Sequence, residues 1–186
     1  RWRVNTIRKR ADRERKSLES ELMALRLQIN PHFFFNSLNA IQSFVMSSDE
    51  ELANEYISKF ARLMRMVLET SRQRSVTIAD ELDMLGLYLE LESIRFNGRF
   101  SHRIVTEPAV DTSLRIPSMM IQPYAENAVR HGLQHRESGG VLTVSLTLLG
   151  DVLLCVVEDN GIGRVRASEI RQHRPAGHTS LGTSIT

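Results

Sequence analysis

Apolar residues recur every three or four positions through the first third of the chain, a pattern that predicts helices. In residues 1–30 the apolar positions alternate at spacings of four and three, as along a coiled-coil seam, with one polar gap at Glu14 and Arg15. The seam residues are Val4, Ile7, Ala11, Leu18, Leu22, Leu25 and Ile29. This segment is therefore predicted to be a helix that contacts a second chain; the alternative is an amphipathic helix lying on its own domain.

Two more helices are predicted to follow as an antiparallel hairpin. The first covers residues 36–47 and the second covers residues 50–70, each with one apolar stripe. Between them, Ser47-Ser48-Asp49-Glu50 supplies a capping residue and acidic charge for the first turn of the second helix. Helices joined by so short a loop pack antiparallel, and two copies of the hairpin would form a four-helix dimer core.

A third helix is predicted between Thr77 and Arg95. Its start, Thr77-Ile78-Ala79-Asp80, resembles a capping box with Asp in the place of Glu or Gln. The polar segment 72–75 before it is typical of a linker, and Asn97-Gly98 is expected to end it.

After Arg99 the pattern becomes that of strands. Strands are predicted over Phe100–Val105, between Pro108 and Pro117, over Val141–Leu149 and over Val152–Glu158. Gly150-Asp151 between the last two is a hairpin signal, and a helix is predicted over Ser118–Leu133. Helices followed by strands with one helix among them place the chain in the α+β class.

Composition and charge add a few limits. The 186 residues are 41% hydrophobic and carry a formal net charge of +2, which is ordinary for a globular protein and indicates neither an acidic nor a basic class. No nucleic-acid partner is expected. The lone Cys155 excludes an internal disulfide and is expected to be a small buried residue. No apolar run approaches the roughly 20 residues that span a bilayer. Because the chain begins at Arg1, we expect a fragment of a longer protein, whose first basic cluster is either a solvated face or juxtamembrane charge.

The most unusual stretch is Gln28–Asn39, Gln-Ile-Asn-Pro-His-Phe-Phe-Phe-Asn-Ser-Leu-Asn. Proline inside a helix removes a backbone donor and costs roughly 3 kcal/mol, so Pro31 is predicted to bend the helix and to present His32. Some of the three phenylalanines after it must pack between helices or against another domain. A chemical role for His32 is one interpretation; the other is that it continues the seam of Ile29 in a bundle.

A second group of polar residues lies on the predicted helix 118–133. Glu126 and Asn127 precede Arg130 and His131 by one turn, and the i, i+4 spacing places Asn127 and His131 on one face. An amide oxygen can complete the shell of a Mg²⁺ ion held mostly by phosphates and water. A plain polar helix face is the alternative.

Two loops with glycines complete the candidate chemistry. Asp159, followed by Gly161 and Gly163, comes directly after an apolar strand; its carboxylate can accept a hydrogen bond from an exocyclic amine. The two glycines let the backbone approach a ligand closely. Near the end, the hydroxyl of Ser180 and the backbone at Gly182 suit phosphate binding. A β-turn and an ordinary loop are the alternatives.

In this order and combination the motifs resemble those of the LytS-type sensor histidine kinases. The matching pieces are Asn-Pro-His-Phe in a helical hairpin, Gln-Pro-Tyr-Ala-Glu-Asn-Ala-Val-Arg-His-Gly, Glu-Asp-Asn-Gly-Ile-Gly and Ser-Leu-Gly. The resemblance runs from Leu25 to nearly the end of the chain and includes the helix around Tyr88–Phe96. It implies a helical dimerisation and phosphoacceptor module, followed by the ATP-binding α/β sandwich (GHKL, Bergerat-type) shared with gyrase and Hsp90.

The resemblance also implies an organisation into four parts. These are a coiled-coil signalling helix (1–30), the dimerisation and phosphoacceptor helices (31–75), a connecting helix (76–98) and a C-terminally truncated ATP-binding domain (99–186). The implied partners are a second copy and a response regulator of the LytTR type. The implied location is the cytoplasmic face of a bacterial inner membrane, with membrane spans before Arg1.

The implied activity is protein histidine phosphorylation by ATP with Mg²⁺. His32 matches the phosphoacceptor, Asn127 matches the Mg²⁺ ligand, and Asp159 matches the acid that recognises adenine. The other nucleotide-site positions are Arg130, His131, Gly161, Gly163, Ser180 and Gly182.

The sequence departs from related kinases and ATPases at two positions. Many histidine kinases carry an acidic residue after the phosphoacceptor, where Phe33 stands here, so the general base is unassigned and Glu126 is a candidate for an assisting role. Pro123 occupies the place of the hydrolytic glutamate of gyrase-like ATPases, so ATP hydrolysis is expected to be poor. The alternatives are a pseudokinase that binds ATP and signals by conformation, and a structural coiled-coil adaptor.

Overall fold

Helices and strands follow one another in the predicted order, apart from one short strand at Ser75–Thr77 that was not predicted. The computed structural model describes residues 31–71, 73–134, 136 and 138–163. The helices are α1 (Pro31–Met46), α2 (Glu50–Thr70), α3 (Ile78–Arg95) and α4 (Gln122–Asn127), and a π-helical segment (Ala128–Leu133) continues α4. The strands are β1 (Ser75–Thr77), β2 (Phe100–Thr106), β3 (Arg115–Pro117), β4 (Gly140–Leu149) and β5 (Val152–Asp159). The coiled coil predicted over 1–30 lies outside the described residues, and the predicted bend depends on residues before Pro31 that lie outside them too.

Helices α1 and α2 form the predicted hairpin. Asp49 caps α2, because its Oδ1 accepts a hydrogen bond from the backbone N–H of Leu52 at 3.1 Å. Between the helices, the buried hydroxyl of Tyr56 donates to Oγ of Ser37 at 3.2 Å. Burial raises the pKa of Tyr56, as expected for a phenol inside an apolar contact.

Helix α3 begins where the capping pattern predicted. Oγ1 of Thr77 accepts from the N–H of Asp80 at 3.1 Å and donates to the Asp80 carboxylate at 2.6 Å. The predicted linker 72–75 is partly wrong, because Ser75 begins β1, which pairs antiparallel with β3. The short strand predicted between Pro108 and Pro117 is β3, whereas β1 was not predicted, because three residues are too few for a recognisable strand pattern.

A three-stranded sheet follows in the order β2-β4-β5. Strands β2 and β4 are parallel, and β4 and β5 form the predicted antiparallel hairpin. The buried face of β4 carries Leu142, Val144 and Leu146, which pack in one core with residues of the helices. Cys155 pairs with Leu146 but is exposed, so the prediction of a buried cysteine is wrong; β5 is one of the two edge strands of the described sheet.

Helix α3 holds the hairpin and the sheet together. The ring of Phe33 on α1 is buried, with its centroid 5.0 Å from that of Tyr88 on α3. Between α2 and α3, Nζ of Lys59 lies 2.5 Å from Oε2 of Glu90, and the carboxylates of Glu90 and Glu55 raise the pKa of Lys59. On the sheet side, Oγ of Ser93 donates to the carbonyl of Phe100 at 2.7 Å.

These elements confirm the predicted α+β class, with a helical hairpin followed by a mixed sheet. No helix within the described ranges combines the length and apolar character needed to cross a bilayer.

The three phenylalanines after His32 should differ sharply in their effect on stability. Phe33 is 6% exposed and Phe35 is 64% exposed. Phe33→Ala leaves a cavity against Tyr88 and should lower the free energy of unfolding by about 3–5 kcal/mol, whereas Phe35→Ala should cost less than about 1 kcal/mol. Urea unfolding of both variants checks this, and similar losses in the two would contradict the packing described.

Tyr88 should make the fold sensitive to alkaline pH. Burial is the main cause that holds the pKa of Tyr88 well above its ordinary value of 10.0, and the Glu92 and Glu126 carboxylates raise it further. Above pH 10.0 the unfolded chain has lost this proton while the folded chain keeps it, so the free energy of unfolding falls as the pH rises.

Tyr88→Phe should therefore flatten this fall, as measured by urea unfolding at a series of pH values on both sides of pH 10. Tyr124→Phe, at an exposed ring, is the control for losing a tyrosine hydroxyl. Equal slopes in the parent and in Tyr88→Phe would contradict the prediction.

Candidate functional site

His32 lies on the first turn of α1 and is exposed. The side-chain nitrogen of Asn36, one turn later, lies 3.1 Å from its Nδ1 and 3.3 Å from its Nε2. The i, i+4 spacing on a helix brings the two side chains together on one face. Asn36 therefore fixes the orientation of the imidazole while the ring stays accessible to solvent.

The residue after His32 anchors this turn of α1. Phe33 packs its ring against Tyr88, and Phe34 lies with its centroid 5.7 Å from that of Phe60 on α2. Adjacent side chains of a helix point in different directions, so a buried Phe33 leaves His32 directed elsewhere. The anchoring role of Phe33 was visible in the sequence only as the general expectation that some of the three rings pack.

The segment with Glu126 and Asn127 differs from the predicted helix over Ser118–Leu133. Helix α4 covers only Gln122–Asn127, and the backbone then widens into the π-helical segment, where the N–H of Gln134 bonds the carbonyl of Val129 at 2.8 Å. Bonds from i to i+5 change the angular relation between residues four apart, so Asn127 and His131 do not have the α-helical relation assumed. Both side chains are exposed.

Glu126 is held by an ion pair with Arg130. Oε1 of Glu126 lies 3.6 Å from Nη1 of Arg130, and the Glu126 side chain is 17% exposed against 39% for Arg130. The carboxylate thus has a positive neighbour on its own helix, and the guanidinium remains partly open to solvent. The pair restrains the Arg130 side chain on the side of the helix that carries Glu126.

Asp159 ends β5 and begins a tight turn. Its Oδ1 accepts from the N–H of Gly161 at 2.8 Å, which is the hydrogen bond of an Asx-turn. Asn160 fixes the turn to the sheet, since its Oδ1 accepts from the N–H of Val141 at 2.7 Å and its Nδ2 donates to the carbonyl of Gly139 at 3.1 Å. Gly163 adopts a φ of 77°, a conformation that favours glycine.

Two glycines join this turn to the π-helical segment. A Cβ on Gly161 would collide with the backbone of Gly132, and a Cβ on Gly132 would lie 2.8 Å from Cγ of Asp159 and nearer still to Oδ1. The N–H of Ile162 donates to the carbonyl of Gly132 at 3.2 Å. The backbones of Gly132 and Gly161 are therefore in direct contact. The Asp159 carboxylate lies against Gly132, the residue that follows His131 in the chain.

Tyr88 lies between the helix of His32 and the segment of Asn127. Its ring contacts Phe33, and the charges of Glu126 and Arg130 both act on the pKa of its hydroxyl. The structure thus brings the Asn127 and Asp159 motifs into contact and places His32 on a hairpin supported by the same helix α3. Ser180 and Gly182 lie outside the described residues.

Sequence reasoning missed the positioning roles of Gly132 and Asn160. Both stand inside the quoted motifs, but their use depends on contacts between segments that are far apart in the chain: Gly132 with Gly161, and Asn160 with Val141. A single sequence contains no signal for such a pairing.

The donor set suits a magnesium ion that arrives with a nucleotide. The part of the chain that the structure describes contains no group of three or more His, Cys, Asp or Glu side chains able to hold a metal ion. Mg²⁺ often keeps several waters and takes one or two protein oxygens together with phosphates, so the exposed amide of Asn127 fits this chemistry. The exposed residue Asp159 offers a carboxylate acceptor, and its turn packs against the buried Gly132 that follows the Asn127 segment.

The sequence matches proteins of one family. The histidine kinase family model matches residues 20–100. The sensor protein LytS of Staphylococcus haemolyticus is 34% identical over 148 residues, which cover 78% of this chain and 24% of that protein. The sensor histidine kinase YpdA of Escherichia coli is 33% identical over 159 residues, covering 82% of this chain and 28% of that protein. The chain spans about a quarter of the length of these curated relatives.

Among solved structures, the histidine kinase domain of the Erythrobacter litoralis EL346 blue-light activated histidine kinase is 14% identical, with a TM-score of 0.39. The match covers 84% of this chain and 83% of that domain. The family assignment rests on the sequence matches and not on this superposition. On those matches, the chain belongs to the histidine kinase family as a relative of the LytS-type sensor histidine kinases.

Proposed function

We propose that this chain is the phosphoacceptor and ATP-binding part of a two-component sensor histidine kinase. In this proposal His32 takes the γ-phosphoryl group of Mg-ATP and passes it to an aspartate of a response regulator. One observation supports it above the others: the Asp159–Gly163 turn packs on Gly132, directly after the segment of Asn127. A polar helix face or an isolated β-turn gives no reason for these two motifs to meet.

The transfer itself requires few groups from the protein. A nitrogen of the neutral His32 imidazole forms a bond to the γ-phosphorus, the bond to the bridging oxygen breaks, ADP leaves, and the proton of the imidazolium passes to a base or to water. The bound Mg²⁺ supplies charge neutralisation at the phosphates. Catalysis in such reactions comes mainly from positioning and electrostatics.

Individual residues have definite tasks in this proposal. Asn36 orients the imidazole, and as an amide it cannot take the proton. Asn127 offers its amide oxygen to Mg²⁺, and Asp159 accepts a hydrogen bond from the adenine amine. Arg130 and His131 are the positively charged or chargeable groups nearest to Asn127 along the chain and are proposed to contact phosphates. Glu126 acts through its ion pair, by holding Arg130 in place.

Ser180 and Gly182 complete the proposed nucleotide site as the second glycine loop beside the phosphates. This assignment rests on the resemblance of Ser-Leu-Gly to the family motif, and the response regulator and the location beneath a bacterial inner membrane are proposed on the same ground. The regulator is expected to be of the LytTR type.

A homodimer is proposed because the hairpin leaves an apolar stripe uncovered. Leu38 and Val45 are exposed on α1 and Ile57 and Leu68 on α2, each pair lying on one face of its helix beside the buried face. A second copy of the hairpin would cover both stripes in a four-helix bundle.

Autophosphorylation tests the kinase proposal directly. Incubation with radiolabelled ATP and Mg²⁺ should place acid-labile, base-stable label on the parent chain. His32→Gln should carry none, because it lacks the acceptor nitrogen, and Asn127→Ala should lose about 10- to 100-fold in labelling rate.

His102→Gln, at a half-buried histidine of β2, is the matched control and should be labelled like the parent. Label that survives in His32→Gln would refute the assignment of the acceptor. A parent that binds ATP but takes no label would indicate the pseudokinase.

The dimer proposal predicts a difference between neighbouring residues of α2. Leu68→Lys places a charge in the proposed interface and should raise the dimer dissociation constant at least about tenfold. Glu69→Lys, one residue later on the polar side of the helix, should leave it nearly unchanged. Sedimentation velocity over a concentration series measures both, and equal behaviour of the two variants would exclude this face.

A further inference from the structure

A buried carboxylate on α3 holds the turn that leads into α4. Glu81 is 2% exposed, and both of its oxygens accept backbone hydrogen bonds. Oε2 accepts from the N–H of Met119 at 2.9 Å, and Oε1 accepts from the N–H of Ile121 at 3.0 Å. These residues are 38 and 40 positions away in the chain, so the contact is purely tertiary.

The turn that Glu81 holds is strained and has no cap of its own. Met119 adopts a φ of 61°, in the left-handed region that costs free energy for any residue with a Cβ. Ile121 stands at the N-cap of α4 and makes no side-chain capping bond. Glu81 therefore supplies from α3 an acceptor for the N–H of the N-cap residue, which in a capping box is accepted by a side chain within the helix.

The first turn of α3, which carries Glu81, is itself held by backbone hydrogen bonds. The N–H of Ile78 donates to the carbonyl of Leu114 at 2.9 Å, and the N–H of Ala79 donates to the carbonyl of Thr112 at 3.0 Å. The first turn of α3 is thus bonded to the chain before the strained turn as well as to the turn itself. Two backbone bonds and two carboxylate bonds define where α4 begins.

The position of Asn127 depends on that starting point. Helix α4 is six residues long and ends at Asn127, so it has few internal hydrogen bonds to set its own direction. A change in the entry of the chain at Ile121 would move the Asn127 amide relative to the Asp159 turn. Misplacement by about 1 Å is enough to cost a large factor in a positioned site.

We propose that Glu81 is a positioning residue for the metal–nucleotide site, which it serves by clamping the 118–121 turn so that α4 presents Asn127. The inference rests on the proposed function for the role of Asn127, and on the structure alone for the clamp. Glu81 touches neither nucleotide nor metal in this arrangement.

Glu81→Gln is the decisive variant, because the amide keeps the shape but replaces one acceptor by a donor that faces a backbone N–H. Glu107→Gln is the matched control, since Glu107 also accepts a backbone N–H, that of Leu148 at 3.1 Å, but is exposed and remote in the chain from α4. Calorimetry would give the ATP dissociation constant of the full chain with and without Mg²⁺.

The ratio of the ATP dissociation constant without Mg²⁺ to that with Mg²⁺ should be about 10- to 100-fold smaller in Glu81→Gln than in the parent. The dissociation constant without Mg²⁺ should change little. Glu107→Gln should behave like the parent. A general loss of folding would weaken binding with and without Mg²⁺ alike, so the difference between the two conditions identifies positioning. Should Glu81→Gln not fold, Glu81→Asp, which keeps both acceptors on a shorter arm, should show a smaller loss of the same kind.

Hydrogen exchange separates the clamp from the proposed function. In Glu81→Gln, faster exchange confined to residues 119–127 supports the clamp, whether or not the chain binds ATP. A parent that binds no Mg-ATP would refute the nucleotide site and leave the clamp to be judged by exchange. Two results would overturn the inference. One is an unchanged hydrogen-exchange rate at residues 119–127 in Glu81→Gln, and the other is an equal effect of Mg²⁺ on ATP binding in Glu81→Gln and in the parent.

Discussion

The structure depends on the burial of α3 on more than one side. Its buried residues include Leu85, Tyr88, Leu89 and Leu91, which cannot all face a single neighbour on a helix. The hairpin covers Tyr88 through Phe33, and the sheet covers the opposite region, so α3 becomes the common support of both parts. Burial of large apolar and aromatic side chains is the dominant favourable term in folding, and here it decides which elements can be neighbours.

The geometry of the candidate site depends on the packing of α3 and on one backbone contact. Gly132 and Gly161 approach so closely that neither position has room for a Cβ. The contact ties the end of β5 to the segment after Asn127, and it explains why glycines stand at both places. Any larger residue would separate the Asp159 carboxylate from the Asn127 segment, and with it the two halves of the proposed nucleotide site.

Buried polar groups then set the finer geometry. The carboxylate of Glu92 is 3% exposed at its side chain and pairs with Nη2 of Arg95 at 2.5 Å, and Glu81 holds the turn before α4. Buried charges with a complete set of hydrogen bonds tolerate little displacement, because removal of one partner leaves the other desolvated. The Glu92–Arg95 pair lies within α3, three residues apart, whereas Glu81 fixes the turn before α4 relative to α3.

The sequence by itself determined the helices, the capping of α2 by Asp49 and of α3 by Thr77, the β4–β5 hairpin, and the family to which the motifs belong. These follow from local periodicity, from short-range capping chemistry and from the order of motifs, all of which a single sequence contains. Tertiary structure alone decided that Cys155 is exposed, that the predicted helix 118–133 widens into a π-helical segment, and that Glu81 reaches Met119 and Ile121. The reason is that each of these features depends on contacts between residues far apart in the chain. A local sequence pattern does not indicate how favourable such contacts are.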